Sequence, residues 1–155
     1  MFSANITLES LNALSIGNMG EHLGIEFTEI GSNYLIARMP VDQRTKQPMG
    51  LLHGGASVVL AETLGSVAAN CAINTETHMC VGLDINANHI RSATKGYVIG
   101  KTTPLHVGGT TQVWEIRITT ETGALVCISR ITMAVLEKKK AFTPQMENFT
   151  VSGDK

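Results

Sequence analysis

The longest apolar stretch of the chain runs over residues 51–73, LLHGGASVVLAETLGSVAANCAI, and the hydrophobic period changes on either side of it. Upstream, Leu8, Leu11 and Leu14 recur at helical spacing behind Thr7, whose hydroxyl suits an N-cap, and predict a short amphipathic helix over residues 8–15. Residues 17–24 contain Gly17, Gly20 and Gly24 and predict a turn region with a second short helical piece. The period then drops to two: residues 25–29 and 33–41 alternate apolar and polar around Gly31-Ser32, which predicts a hairpin. Pro48 and Gly50 mark residues 42–50 as loop.

The central stretch predicts a helix over residues 54–73 that is apolar on nearly every face, a kind normally wrapped by other elements. Four strands are expected after it, over residues 79–90, 97–105, 112–120 and 124–136, the last two forming a hairpin about Glu121-Thr122-Gly123. In the first of them Val81, Leu83, Ile85, Ala87, His89 and Arg91 share one parity, and Asp84, Asn86 and Asn88 the other. From Glu137 onward the periodicity is lost, so residues 138–155 are expected to be a flexible tail. This order predicts a single α+β domain over residues 1–137, an antiparallel sheet of five to six strands wrapped around one long central helix.

The central run is long enough to cross a bilayer. Ser57, Glu62, Ser66 and Asn70 interrupt it, and no basic flank follows, so a buried core helix fits better and no membrane partner is expected. The formal net charge is −1, and lysines and arginines are thinly spread except at residues 138–140, so no nucleic-acid partner is expected either. The three cysteines, Cys71, Cys80 and Cys127, sit in apolar runs without metal-ligand spacing and read as reduced, buried thiols. The first residues, MFSANITLES, lack the basic-then-apolar order of a signal peptide, and a cytoplasmic location is expected.

The candidate chemistry lies in the central run. Glu62 is its one formal charge between Lys46 and Glu76, and a carboxylate in a buried helix is costly unless paired or used. Ser66 and Asn70 follow it at helical spacing and extend a polar stripe; a satisfied structural carboxylate would give the same pattern. His53-Gly54-Gly55 opens the helix, where unpartnered N–H groups and the helix dipole favour a negative ligand atom and glycine permits close approach. These are the parts of an oxyanion hole, and equally of a plain glycine helix start. Gly54 and Glu62 are separated by about 12 Å along a helix axis, too far to grip one small carbonyl from a single chain. A site shared across a two-fold dimer would remove that difficulty. Met49, Leu51, Leu60 and Leu64 suggest an apolar pocket, and His89 and Arg91 share a strand parity from which they could meet phosphate, though a solvated strand end gives the same pattern.

The blocks QPMGLLHGGASVVLAETLGS, VGLDINANHIRS and PLHVGGTTQVWEI resemble the hotdog-fold acyl-CoA thioesterases. The branch is the small bacterial one of glutamate-type 4-hydroxybenzoyl-CoA and phenylacetate-pathway thioesterases, nearest its 1,4-dihydroxy-2-naphthoyl-CoA hydrolases of menaquinone synthesis. The likeness covers residues 7–136. It implies hydrolysis of an acyl-CoA, favouring an aryl acyl group, by a homodimer at least and a homotetramer in many members, with no cofactor or metal and with CoA as part of the substrate. It implies Glu62 as the catalytic carboxylate and the Gly54 N–H as oxyanion donor from the neighbouring subunit. Gln47 and His53 fall on positions that orient the thioester carbonyl, and Ser66 on a hydroxyl position beside the glutamate. Met49, Gly55, His89, Arg91, Ser92, His106 and Gly108 fall on stretches near the substrate and its CoA arm. Thr110 and Thr111 depart from the basic side chain that relatives often carry there. A non-catalytic acyl-CoA-binding module and a hydratase or dehydratase of the same fold remain open at this point.

Overall fold

The computed structural model describes residue 2 and residues 6–138; the remainder of the expected tail lies outside the described residues. Helix α1 (Leu8–Ala13) starts on a reciprocal capping box. The Thr7 hydroxyl accepts from the Ser10 N–H, and the Ser10 hydroxyl accepts from the Thr7 N–H. Helix α2 (Met19–Leu23) is the short piece expected after Gly17; Asn18 caps it and Gly24, at φ +70°, ends it.

Six strands follow the expected order: β1 (Glu26–Ile30) and β2 (Leu35–Pro40) before helix α3 (Gly54–Cys71), then β3 (His78–His89), β4 (Tyr97–Val107), β5 (Thr111–Thr120) and β6 (Leu125–Glu137). They form one antiparallel sheet in the order β1-β2-β4-β5-β6-β3, curled around α3. Leu60, Ala61, Leu64 and Ala68 of the helix are fully buried against Trp114, Ile116, Ile131 and Met133 of the sheet. Gly65 lets β6 approach closely, since a Cβ there would lie 2.4 Å from Ile131 Cγ2. The buried Trp114 indole donates to Gln112, whose amide donates to the Ala69 carbonyl, so the polar groups beneath the last turn of α3 are satisfied.

Both edge strands are met by a side-chain amide acting as a strand. Asn12 donates to the Phe27 carbonyl and accepts its N–H on β1; Asn70 does the same to Cys80 on β3. Such pairing protects an edge that would otherwise recruit another chain. On β3 it covers only the first part of the strand.

Two expectations need correction. The parity assigned to β3 breaks at Leu83, where a bulge places two residues against Thr132. Cys80 and Gly82 therefore face the helix before the bulge, and Ile85, Ala87 and His89 after it, while Leu83 turns outward at 64% exposure. Nor is α3 wrapped on all sides. Val58, Val59, Glu62, Thr63, Ser66 and Val67 form a stripe that the single chain leaves half-buried, so the lone carboxylate is not enclosed.

Candidate active site

The loop before α3 is built to hold its first residues. The Thr45 hydroxyl donates to the Pro40 carbonyl, and the Thr45 carbonyl accepts from the His53 N–H. Gly50, at φ +80°, closes the intervening turn by donating to the Gln47 carbonyl. Gln47 Oε1 accepts from the Met49 N–H, which leaves its NH2 available to a ligand. Met49 itself is 81% exposed and lines none of the clefts described below.

His53 is the N-cap of α3, its Nδ1 accepting the Gly55 N–H at 2.8 Å. An imidazole nitrogen that accepts carries no proton, so the neutral ring bears its proton on Nε2, facing away from the helix. Because Gly55 is engaged, the Gly54 amide is left as the first free donor at the positive end of an 18-residue helix. His89 packs against this glycine: a Cβ at position 54 would sit 2.8 Å from its Nε2. Gln47, Gly54, Ser57, His89, Arg91 and Ser92 line one cleft of about 340 Å³. Ser57 is a member that the sequence reading passed over, although it lies one turn from Gly54 and so on the same helix face.

Glu62 opens instead into a separate chamber of about 420 Å³, between α3 and the α1–α2 turn. Its carboxylate makes no ion pair among the described residues. The Ser66 hydroxyl approaches Oε1 at 3.5 Å, a long contact. Gly82 provides clearance on the other side, because a Cβ there would stand 2.9 Å from the same oxygen. This second missed residue is invisible in the sequence, since only the bulge at Leu83 turns Gly82 inward. Asn70, the end of the polar stripe, serves the edge of β3 rather than the carboxylate.

The single chain thus joins Gln47, Gly54, His89, Arg91 and Ser92, joins Ser66 to Glu62, and keeps the two groups apart. His106, at the end of β4, packs on Gly108 in the β4–β5 turn, which bonds to β6 at Val135 near the opposite end of α3, and neither reaches the Gly54 cleft. Lys138, at the start of the expected tail, donates from its ammonium to the Thr75 carbonyl. All three thiols are free, and burial pushes each upward from the ordinary range, Cys71 to about 11. Among the described residues no His, Cys, Asp or Glu side chains converge as a metal-ligand set, and no helix is long and apolar enough to cross a membrane.

Comparison with known proteins agrees with this architecture. The family model described as Thioesterase superfamily matches residues 49–127. The 1,4-dihydroxy-2-naphthoyl-CoA hydrolase of Escherichia coli K12 is 56% identical over 136 residues, covering 88% of this chain and 99% of its own. The proofreading thioesterase EntH of Cronobacter turicensis is 50% identical over 137 residues, covering 88% and 98%. Among solved structures, a glutamine-to-alanine mutant thioesterase from Pseudomonas aeruginosa superposes with a TM-score of 0.87 at 47% identity, covering 88% of this chain and 99% of that one. The chain belongs to the thioesterase superfamily and has its hotdog fold. It is a thioester hydrolase.

Proposed function

We propose that two copies of this chain hydrolyse an acyl-CoA thioester at sites they share, with an aryl acyl group as the preferred substrate and 1,4-dihydroxy-2-naphthoyl-CoA, a menaquinone precursor, as the first to test. The observation that carries this reading is the division of the site. An unengaged amide at Gly54 and an unpaired carboxylate at Glu62 lie in separate clefts of one chain, about 12 Å apart along α3. Two-fold pairing along the free part of β3 would set the half-open stripe of α3 beside its counterpart and bring one chain's Gly54 toward the other's Glu62. Outward-facing Met79, Leu83 and Leu136 supply apolar surface for pairing dimers into a tetramer.

In this mechanism the thioester oxygen accepts from the Gly54 N–H as negative charge develops, a donor worth about 3 kcal/mol of barrier. Gln47 and the Nε2–H of His53 orient the carbonyl. Glu62 either takes a proton from water as water attacks the carbonyl carbon, or attacks that carbon itself to form an anhydride that water then opens. Both routes break the carbon–sulfur bond, release the acid and leave CoA thiolate to be protonated. Ser66 holds the carboxylate in place, and Arg91, His89 and Ser92 receive the CoA arm. Met49, Gly55, His106 and Gly108 enter only as surfaces the paired chain can bring near that arm. The mechanism calls for no cofactor or metal, and three reduced thiols suit a cytoplasmic setting.

The test follows released thiol with a panel of acyl-CoA esters. Glu62→Gln is expected to lower kcat at least a hundredfold with thermal stability unchanged; turnover near the parent value would sink the mechanism. Gly54→Pro removes the amide donor at the first helical position, and Gly54→Ala, which keeps the N–H, separates that loss from the contact of an added Cβ with His89. Glu62→Gln and Gly54→Pro should each be inactive alone, and refolding the two together should restore turnover through heterodimers carrying one intact site. Mixtures that stay inactive, with heterodimers present by mass, would refute the shared site.

A further inference from the structure

We propose that the α1–α2 segment is the selectivity wall for the acyl group, with Leu14 and Met19 closing over it while its carbonyl sits at Glu62. The proposal rests on the thioesterase reading above and adds which part of the chain chooses the acyl half of the substrate.

The argument begins with how polarity is partitioned. The Gly54 cleft carries the hydrogen-bonding and cationic groups, Gln47, His89, Arg91 and Ser92, and matches a phosphorylated arm. In the Glu62 chamber the walls are Leu14, Met19, Phe27, Val59 and Val67, and among the described residues Glu62 is the one charged group lining it. An acyl-CoA has one highly charged half and one acyl half. The two cavities sort those halves by desolvation alone, because nothing in the chamber compensates a buried charge. A carboxylate on the acyl group would in addition face Glu62. The ligand class is therefore a neutral, apolar acyl group whose polar substituents meet only uncharged partners, Ser15, Asn18 and Thr63.

Exposure identifies the rim of the chamber. Leu14 and Met19 stand at the rim of the chamber, 60% and 63% exposed, whereas Leu11 anchors α1 in the core. Large apolar side chains held open beside a cavity gain burial when a ligand fills it. Beyond Val67 lies a larger space of about 900 Å³ edged by Phe2, Ile6 and Ile73. Leu14 and Val67 line both spaces, so they stand on the border between them. Leu14 thus separates a near chamber with room for a flat ring system from a far one that would take a long chain.

The experiment measures kcat/KM for benzoyl-, hexanoyl- and decanoyl-CoA in the parent, Leu14→Ala and Met19→Lys, with the CoA inhibition constant, melting temperature and native assembly mass of each. Removing the Leu14 side chain should raise the decanoyl-to-benzoyl ratio about tenfold, and a lysine at 19 should lower kcat/KM for every apolar ester about tenfold with CoA inhibition unchanged. An active parent whose variants keep the same acyl profile overturns the wall alone. A loss accompanied by weaker CoA inhibition, or by a changed assembly mass, also overturns it, because Leu14 and Met19 would then serve the CoA arm or a second copy. A parent that releases no thiol from any ester overturns the thioesterase reading and the wall with it.

Discussion

Replacing Gly65 with alanine tests how tightly the sheet grips the helix that carries both halves of the proposed site. On propensity alone the change should stabilise α3 by about 1 kcal/mol, since glycine is the poorer helix former. The structure opposes this. The added Cβ would lie 2.4 Å from Ile131 Cγ2, where carbon atoms normally rest about 3.5–4.0 Å apart. Cγ2 is a methyl fixed to the β-carbon of a β-branched side chain on a central strand, so it cannot swing aside and the helix and sheet must separate. Gly100 differs, because there a Cβ would meet the far end of Leu64 at 2.5 Å, and that end can rotate. Overpacking costs about 1–3 kcal/mol, and a contact this short with a group that cannot rotate belongs in the upper part of that range, about 2–3 kcal/mol. Net of propensity, Gly65→Ala should destabilise by about 1–2 kcal/mol and lower the melting temperature by roughly 2–8 °C for a chain of this size. Differential scanning calorimetry measures it. In an Ile131→Leu background, which moves the branch off Cβ, the penalty should shrink by at least half. A melting temperature equal to or above the parent's, or the same penalty in both backgrounds, would refute this account of the close approach.

Three further outcomes follow from the same structure. His53→Asn should keep the cap on the Gly55 N–H and melt within about a degree of the parent, whereas His53→Ala should lose about 1 kcal/mol; both should lose turnover, because neither places a proton donor where Nε2–H stands. Equal melting temperatures for the two would show that the cap contributes nothing. Burial holds Cys71 near 11 against an ordinary 9.0, with Cys80 and Cys127 also raised. A raised thiol favours the folded state below the unfolded value and loses that contribution as pH climbs, so stability should decline above about pH 9. At pH 8 the shift leaves about a hundredfold less Cys71 thiolate, offset in part by its greater nucleophilicity, so iodoacetamide should label it about tenfold more slowly than in urea. Labelling equally fast in both would contradict the burial.

The sequence by itself determined the elements and the chemistry they carry. A helical apolar run bounded by glycine, flanked by stretches of period two, leaves few ways to bury its side chains, and a sheet curled round one helix is the simplest. The isolated carboxylate at Glu62 and the glycine start at Gly54 were legible for the same reason: each is a polar or permissive residue where apolar ones would pack better. Tertiary structure decided what depends on register and on distance between elements. The bulge at Leu83 reverses which side of β3 faces the helix, and so makes Gly82, not Leu83, the neighbour of Glu62. Alternation carries no mark of where a strand takes an extra residue. The engagement of the Gly55 amide by His53, which singles out Gly54, and the sorting of Glu62 into an apolar chamber under α1–α2 likewise required coordinates. Local pattern fixes which face of an element is apolar, but only packing fixes what that face meets.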